Sequence, residues 1–163
     1  MSPAVSRRPI GPEDAAFLAR LYASTRSEEL APTGWTDEQK AAFLQQQFDA
    51  QHRWYQEQYQ GASFEVVLVD GQPAGRLYVA RWADELRLVD VALLPEHRGR
   101  GVGSELIAEV MREARDAGKA VRIHVERWNA ALRLYERLGF RLLEDRGVHL
   151  FLEWRPNGSP TPE

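Results

Sequence analysis

Leu93-Leu94-Pro95-Glu96-His97-Arg98-Gly99-Arg100-Gly101-Val102-Gly103 joins an apolar run to the start of an amphipathic one. Behind it, Leu86–Leu94 is nearly continuous in apolar residues, the pattern of a central strand. Ahead of it, Val102, Leu106, Ile107, Val110, Met111 and Ala114 recur at helical spacing, and Gly118 supplies a stop. Glycines at 99, 101 and 103 permit positive φ and close approach by a ligand, and the first N–H groups of a helix lack partners within it. The turn therefore predicts an anion nest of the kind that holds a pyrophosphate, with Arg98 and Arg100 as charge-assisted donors. It is not a P-loop, because no Gly-Lys-Ser/Thr follows, and Ser104 stands where a dinucleotide fingerprint has its third glycine. Taken alone, the same residues read equally well as a tight strand-to-helix turn.

The period changes on either side of this segment. Gly11-Pro12-Glu13-Asp14 starts a helix that runs to about Leu30, and Thr36 with Gln39 has the capping-box spacing of a second, which ends at Gly61. The second helix carries Phe43, Phe48, Trp54, Tyr55 and Tyr59. Phe64–Val69 and Ala74–Trp82 read as strands joined at Asp70-Gly71, a strong hairpin signal. After the long helix come a strand Val121–Glu126, a short helix Ala130–Leu138 capped by Asn129 and stopped by Gly139, and a hairpin from Arg141 to Trp154 turning at Asp145-Arg146-Gly147. A strand ahead of the first helix stays open. Pro156–Glu163 reads as a frayed tail after a single domain over residues 1–155.

Bulk composition narrows the class. The chain has 163 residues, 44% hydrophobic and 28% charged, which suits one globular domain. No apolar run approaches the ~20 residues of a membrane span, and the N-terminus lacks a signal-peptide h-region, so the expected location is cytoplasmic, away from membranes. Without cysteine there is no zinc–thiolate site, disulfide or thiol nucleophile, and no metal site is expected. A net charge of −3 argues against general nucleic-acid binding. Residues 1–95 hold nine Lys/Arg against thirteen Asp/Glu, and residues 96–155 twelve against ten. That asymmetry suits a cationic substrate beside an anionic cofactor, and equally an ordinary solvated surface.

Two segments together carry a resemblance. Arg98-Gly99-Arg100-Gly101-Val102-Gly103 resembles the Arg/Gln-x-x-Gly-x-Gly/Ala signature of the GNAT superfamily of N-acetyltransferases. Asn129 through Tyr135-Glu136 to Gly139-Phe140 is similar to that family's second signature, with Ala131 its loosely placed member. The resemblance implies an α/β (α+β) fold: a mixed, mostly antiparallel sheet splayed between strands 4 and 5 and flanked by helices. It also implies that acetyl-CoA is the cosubstrate and acylation of an amine the reaction. On this basis residues Arg98, Gly99, Arg100, Gly101, Val102 and Gly103 would hold the cofactor's phosphates, and the backbone at Val91 and Leu93 its pantetheine arm. Asn129 would touch that arm as well as cap its helix, and Tyr135 would protonate the departing thiolate.

Some members of that family carry a carboxylate base on the strand after the long helix. Here His124 holds that position, with Asp90, a charge in an apolar strand, as the other candidate base. Trp35, Phe43, Trp54, Tyr55 and Tyr59, with Glu28 and Glu29 nearby, would suit an amine through cation–π and ionic contacts. A small-molecule amine is the favoured acceptor. A peptide or protein amine, and a non-catalytic acyl-CoA sensor, are the alternatives, and a homodimer is compatible with each.

Overall fold

The computed structural model describes residues 3–156. Its element order is β1 (Val5–Pro9), α1 (Ala15–Leu30), α2 (Asp37–Gln58), β2 (Ser63–Val69), β3 (Gln72–Arg81), β4 (Glu85–Leu93), α3 (Val102–Ala117), β5 (Ala120–Glu126), α4 (Leu132–Arg137), β6 (Arg141–Arg146) and β7 (His149–Trp154). Apart from Pro156, the tail expected at the C-terminus lies outside the described residues. The strand ahead of the first helix exists: β1 pairs antiparallel with β2 from Val5↔Val69 to Pro9↔Glu65.

The strands form one sheet in the order β1-β2-β3-β4-β5-β7-β6, and β4–β5 is the one parallel pair among those described. Parallel neighbours need a long crossover, and α3 provides it. The β2–β3 hairpin turns on Asp70-Gly71, both at positive φ (51° and 81°), as a type I′ turn requires. The β6–β7 turn falls at Gly147-Val148, one residue later than Asp145-Arg146-Gly147 suggests, because Arg146 still pairs with His149.

The two faces of the sheet differ in chemistry. On one, Val67, Leu77, Val79, Leu86, Leu88, Val121, Ile123, Val125, Leu150 and Leu152 pack with Leu106, Ile107, Val110 and Ala114 of α3. On the other, Phe17, Leu18, Leu21 and Tyr22 of α1 and Phe48 of α2 cover Val66 and Leu94. Burial of a large apolar side chain contributes about 1.5–3 kcal/mol, so these clusters fix which face each strand residue meets. Strand β4 contains a bulge, since Tyr78 pairs with Asp90 while Val79 pairs with Leu88, leaving Val89 without a partner on β3.

Candidate active site

Strands β4 and β5 pair from Glu85↔Ala120 to Leu88↔Ile123 and no further, while β5 continues to pair with β7 as far as Glu126↔His149. The sheet therefore splits immediately after Leu88, and the edge of β4 from Val89 to Leu93 faces an open slot. The side chains of Val91 and Leu93 pack on the α3 core, so only their backbone could meet a ligand, and of that the Leu93 carbonyl already accepts from Arg98.

The loop after β4 ends at the N-terminus of α3, where Gly101 is the N-cap in the left-handed region (φ 82°) and no side chain caps the first turn. The orphan N–H groups there are thus open to an anion. Gly99 (φ 74°) and Gly101 both have nothing within 4 Å of where a Cβ would stand, so the obstacle to substitution is backbone conformation, and the hollow itself is empty of protein. Gly103 departs from the expectation of positive φ, because it lies inside α3. Val102 has its side chain in the core, 1% exposed, and offers only its N–H. Arg98 turns back on the strand, its Nε donating to the carbonyl of Leu93 at 3.0 Å, whereas Arg100 is exposed. These residues fit a bound phosphate group through backbone donors first and guanidinium charge second.

Asn129 does not cap α4 directly. Its Oδ1 accepts from Ala131 N at 2.8 Å, an Asx turn that leads into a helix beginning at Leu132. Tyr135 is 2% exposed and packs edge-on against Phe140, with ring centroids 5.5 Å apart. Burial, and then the charge of Asp90, push its hydroxyl above the usual tyrosine range. It is a phenol that keeps its proton, as a general acid must before the reaction.

Asp90 faces α2 and is tied on that side. Its Oδ2 accepts from Tyr55 OH at 2.8 Å and from Arg76 Nη2 at 2.7 Å, and Arg76 also donates to Gln51 Oε1 at 2.9 Å. Arg76 is 3% exposed, with its Cζ 5.1 Å from the Tyr78 ring centroid and 5.8 Å from that of Tyr55. Asp90 is the counter-ion of a buried guanidinium, and a proton on its carboxyl would leave that charge uncompensated. The sequence signal for this cluster was an arginine alternating with apolar residues in a buried strand, legible as an oddity without its partner.

His124 lies with Trp54, Tyr55, Tyr59, Arg87, Leu88, Val89, Arg146 and His149 around a cavity of about 400 Å³, whose floor is the point where β4 leaves β5. Its ring stacks on Phe151 at 4.4 Å, and its Nε2 is 2.6 Å from Arg146 Nη1. An arginine can only donate, so Nε2 carries the lone pair and Nδ1 the proton. Burial, with the charges of Arg87, Arg146 and His149, holds the imidazole below its usual value. The aromatic residues separate: Trp54, Tyr55 and Tyr59 line this cavity, whereas Trp35 and Phe43 pack edge-on against each other near the start of α2. No Asp or Glu is among the described residues that line this cavity. Glu29 pairs with Arg26 at 3.1 Å, the side chain of Glu28 lies outside the described residues, and the charges at the cavity wall are cationic. A second hollow, between α1 and α2, is lined largely by alanines and lies away from the split strands. Among the described residues no cluster of His, Asp and Glu could hold a metal ion, and no helix is long and apolar enough to cross a membrane.

The acetyltransferase (GNAT) family matches residues 23–140. A thialysine N-ε-acetyltransferase of Sus scrofa is 35% identical over 100 residues, 53% of this chain and 59% of that protein. A mycothiol acetyltransferase of Nocardiopsis dassonvillei is 40% identical over 77 residues, 46% of this chain and 20% of that protein. The aligned region thus spans about three fifths or less of the length of these curated relatives. Among solved structures, the PaiA N-acetyltransferase of Thermoplasma acidophilum in complex with coenzyme A superimposes with a TM-score of 0.70 at 17% identity, covering 93% of this chain and 99% of that one. The YncA protein of Salmonella typhimurium, a putative acetyltransferase with acetyl-CoA, gives 0.61 at 22% identity, with 98% of each chain covered.

Proposed function

The chain belongs to the acetyltransferase (GNAT) family, and on that basis we propose that it transfers the acetyl group of acetyl-CoA to the primary amine of a small molecule, by direct attack within a ternary complex. The observation that carries this reading is the uncapped N-terminus of α3, entered through two left-handed glycines, opening onto the slot between β4 and β5. When bound, acetyl-CoA supplies an activated thioester. The loop Arg98–Gly103 would hold its phosphates, Asn129 and the backbone edge at Val91 and Leu93 would hold its arm, and an N–H near Leu93 would stabilise charge developing on the acetyl oxygen. Tyr135 gives its proton to the departing sulfur as the acceptor nitrogen forms the amide bond.

His124 takes the acceptor's proton. It lines the cavity, is held neutral, and presents Nε2 once Arg146 turns away. Asp90, bound to Arg76 and Tyr55, keeps the opposite wall in place. A cavity of about 400 Å³ suits a compact amine better than a polypeptide segment.

The test is calorimetric titration with acetyl-CoA, together with thiol release in the presence of an amine panel. Gly101→Val, which forces a β-branched residue into φ 82°, should weaken acetyl-CoA at least tenfold, about 1.4 kcal/mol. A folded variant with unchanged affinity would show that the loop is only a turn.

A further inference from the structure

The wall of the acceptor cavity is basic, which a site for a simple amine does not explain. Arg87 enters it on β4 with its Nε donating to Glu85 Oε2 at 2.9 Å. Its guanidinium carbon lies 4.8 Å from the Trp82 ring centroid and 5.1 Å from that of Phe151, held beside two aromatic rings. The side chain is 13% exposed, and no hydrogen bond engages its two terminal nitrogens among the described residues. An arginine fixed through Nε and flanked by aromatic rings presents its Nη1–Nη2 edge in the geometry that receives a carboxylate bidentately.

Arg146 reaches the same cavity from the β6–β7 hairpin, 4.8 Å from Phe151, and His124 and His149 complete that side. The nearby carboxylates are already shared. Glu85 serves both Arg87 and Arg122, Glu153 serves Arg122 and Arg155, and Glu144 serves Arg146, so among the described residues these four guanidinium groups face three carboxylates. Asp90 is matched to Arg76, and Glu126 to Arg26. The excess positive charge is felt by His124, whose proton affinity falls partly because of Arg87 and Arg146.

We propose that the acceptor is an amine that also carries a carboxylate, and that Arg87, assisted by Arg146, holds this carboxylate while Trp54 and Tyr59 wall the chain between the two groups. The inference rests on the acetyltransferase reading for its amine and on the cavity for its anion. One charged contact fixes which end of the acceptor turns toward His124 and the split in the sheet. Without it, an ammonium would approach a positive wall.

The test compares matched pairs that differ only in the carboxylate: L-lysine against 1,5-diaminopentane, and 4-aminobutanoate against propylamine. Tryptophan fluorescence titrations with coenzyme A present read affinity, and thiol release from acetyl-CoA reads transfer. In at least one pair the carboxylate-bearing member should bind at least tenfold more tightly, and Arg87→Gln or Arg146→Gln should move that ratio toward one at unchanged melting temperature. Equal affinities within both pairs, no binding by any member, or a ratio untouched by both variants would overturn the proposal. Thiol release without carboxylate preference would remove this inference and leave the transferase standing. Carboxylate preference without thiol release would do the reverse.

Discussion

The proposed cofactor loop and the proposed acceptor cavity both border one split in a sheet, and they are built in opposite ways. The loop is six consecutive residues whose work is done by backbone: two left-handed glycines, unpaired N–H groups and a helix axis. The cavity draws Trp54, Tyr55 and Tyr59 from α2, Arg87 from β4, His124 from β5 and Arg146 and His149 from the last hairpin, and its work is done by side chains. Backbone recognition suits a ligand that never changes, because few substitutions alter an N–H. Side-chain recognition can be rewritten one residue at a time, so specificity belongs on that side.

This contrast can be broken most directly at Tyr135, the proposed proton donor to the cofactor's sulfur. Tyr135→Phe should lower kcat by about 10²–10⁴-fold, with KM for acetyl-CoA within about threefold, because the hydroxyl acts when sulfur leaves and not when cofactor binds. A kcat loss under about threefold, measured where chemistry limits, would assign the ring to packing alone.

On the acceptor side, Asp90→Asn should cost on the order of 3 kcal/mol, because it leaves the guanidinium of Arg76 buried without its counter-charge. Denaturant unfolding checks the figure. A variant of wild-type stability that has lost the acid limb of its rate profile would instead make Asp90 the base and remove His124 from that role.

The smallest effect lies in the titration of His124. Burial and neighbouring cations disfavour its protonated form, so in a two-dimensional NMR titration its midpoint should fall on the acid side of the usual ~6.5. The imidazole then stays neutral, and able to accept a proton, to lower pH than a free histidine would. Arg146→Gln removes one of the cations and should move the midpoint upward; a downward shift would contradict a basic cavity wall.

The same contrast governs what could be read before the structure. The loop, the helix behind it and the order of strands follow from local spacing, since glycine, capping residues and periodicity act over a few positions. The ion pair of Asp90 with Arg76 joins positions 14 residues apart, and the contact of Arg146 with His124 joins positions 22 apart, so the charges are visible in the sequence while the choice of partner, Arg76 or Arg87 for Asp90, is not. Glu29 illustrates the opposite failure. It is close in sequence to the aromatic helix, yet it spends its charge on Arg26, which also reaches Glu126 at the end of β5. Strand β4 shows a third case. Its α3-facing residues are Leu86, Leu88, Val91 and Leu93, with an interval of three where a regular strand would have two, and the apolar run conceals that interval.

That interval has a further consequence. Eight residues of β4, Leu86 to Leu93, lie against only Gly75 to Arg81 of β3, and the surplus residue, Val89, directly follows the last one paired to β5. A bulged strand bends and twists more strongly than its neighbours, so the surplus acts as a wedge that parts β4 from β5 where it sits. A chain shorter by that one residue would keep each apolar side chain on its present face and lose the bend. The slot proposed as the meeting place of both ligands is therefore encoded by a count, a property of chain length that no inspection of residue types along the strand would reveal.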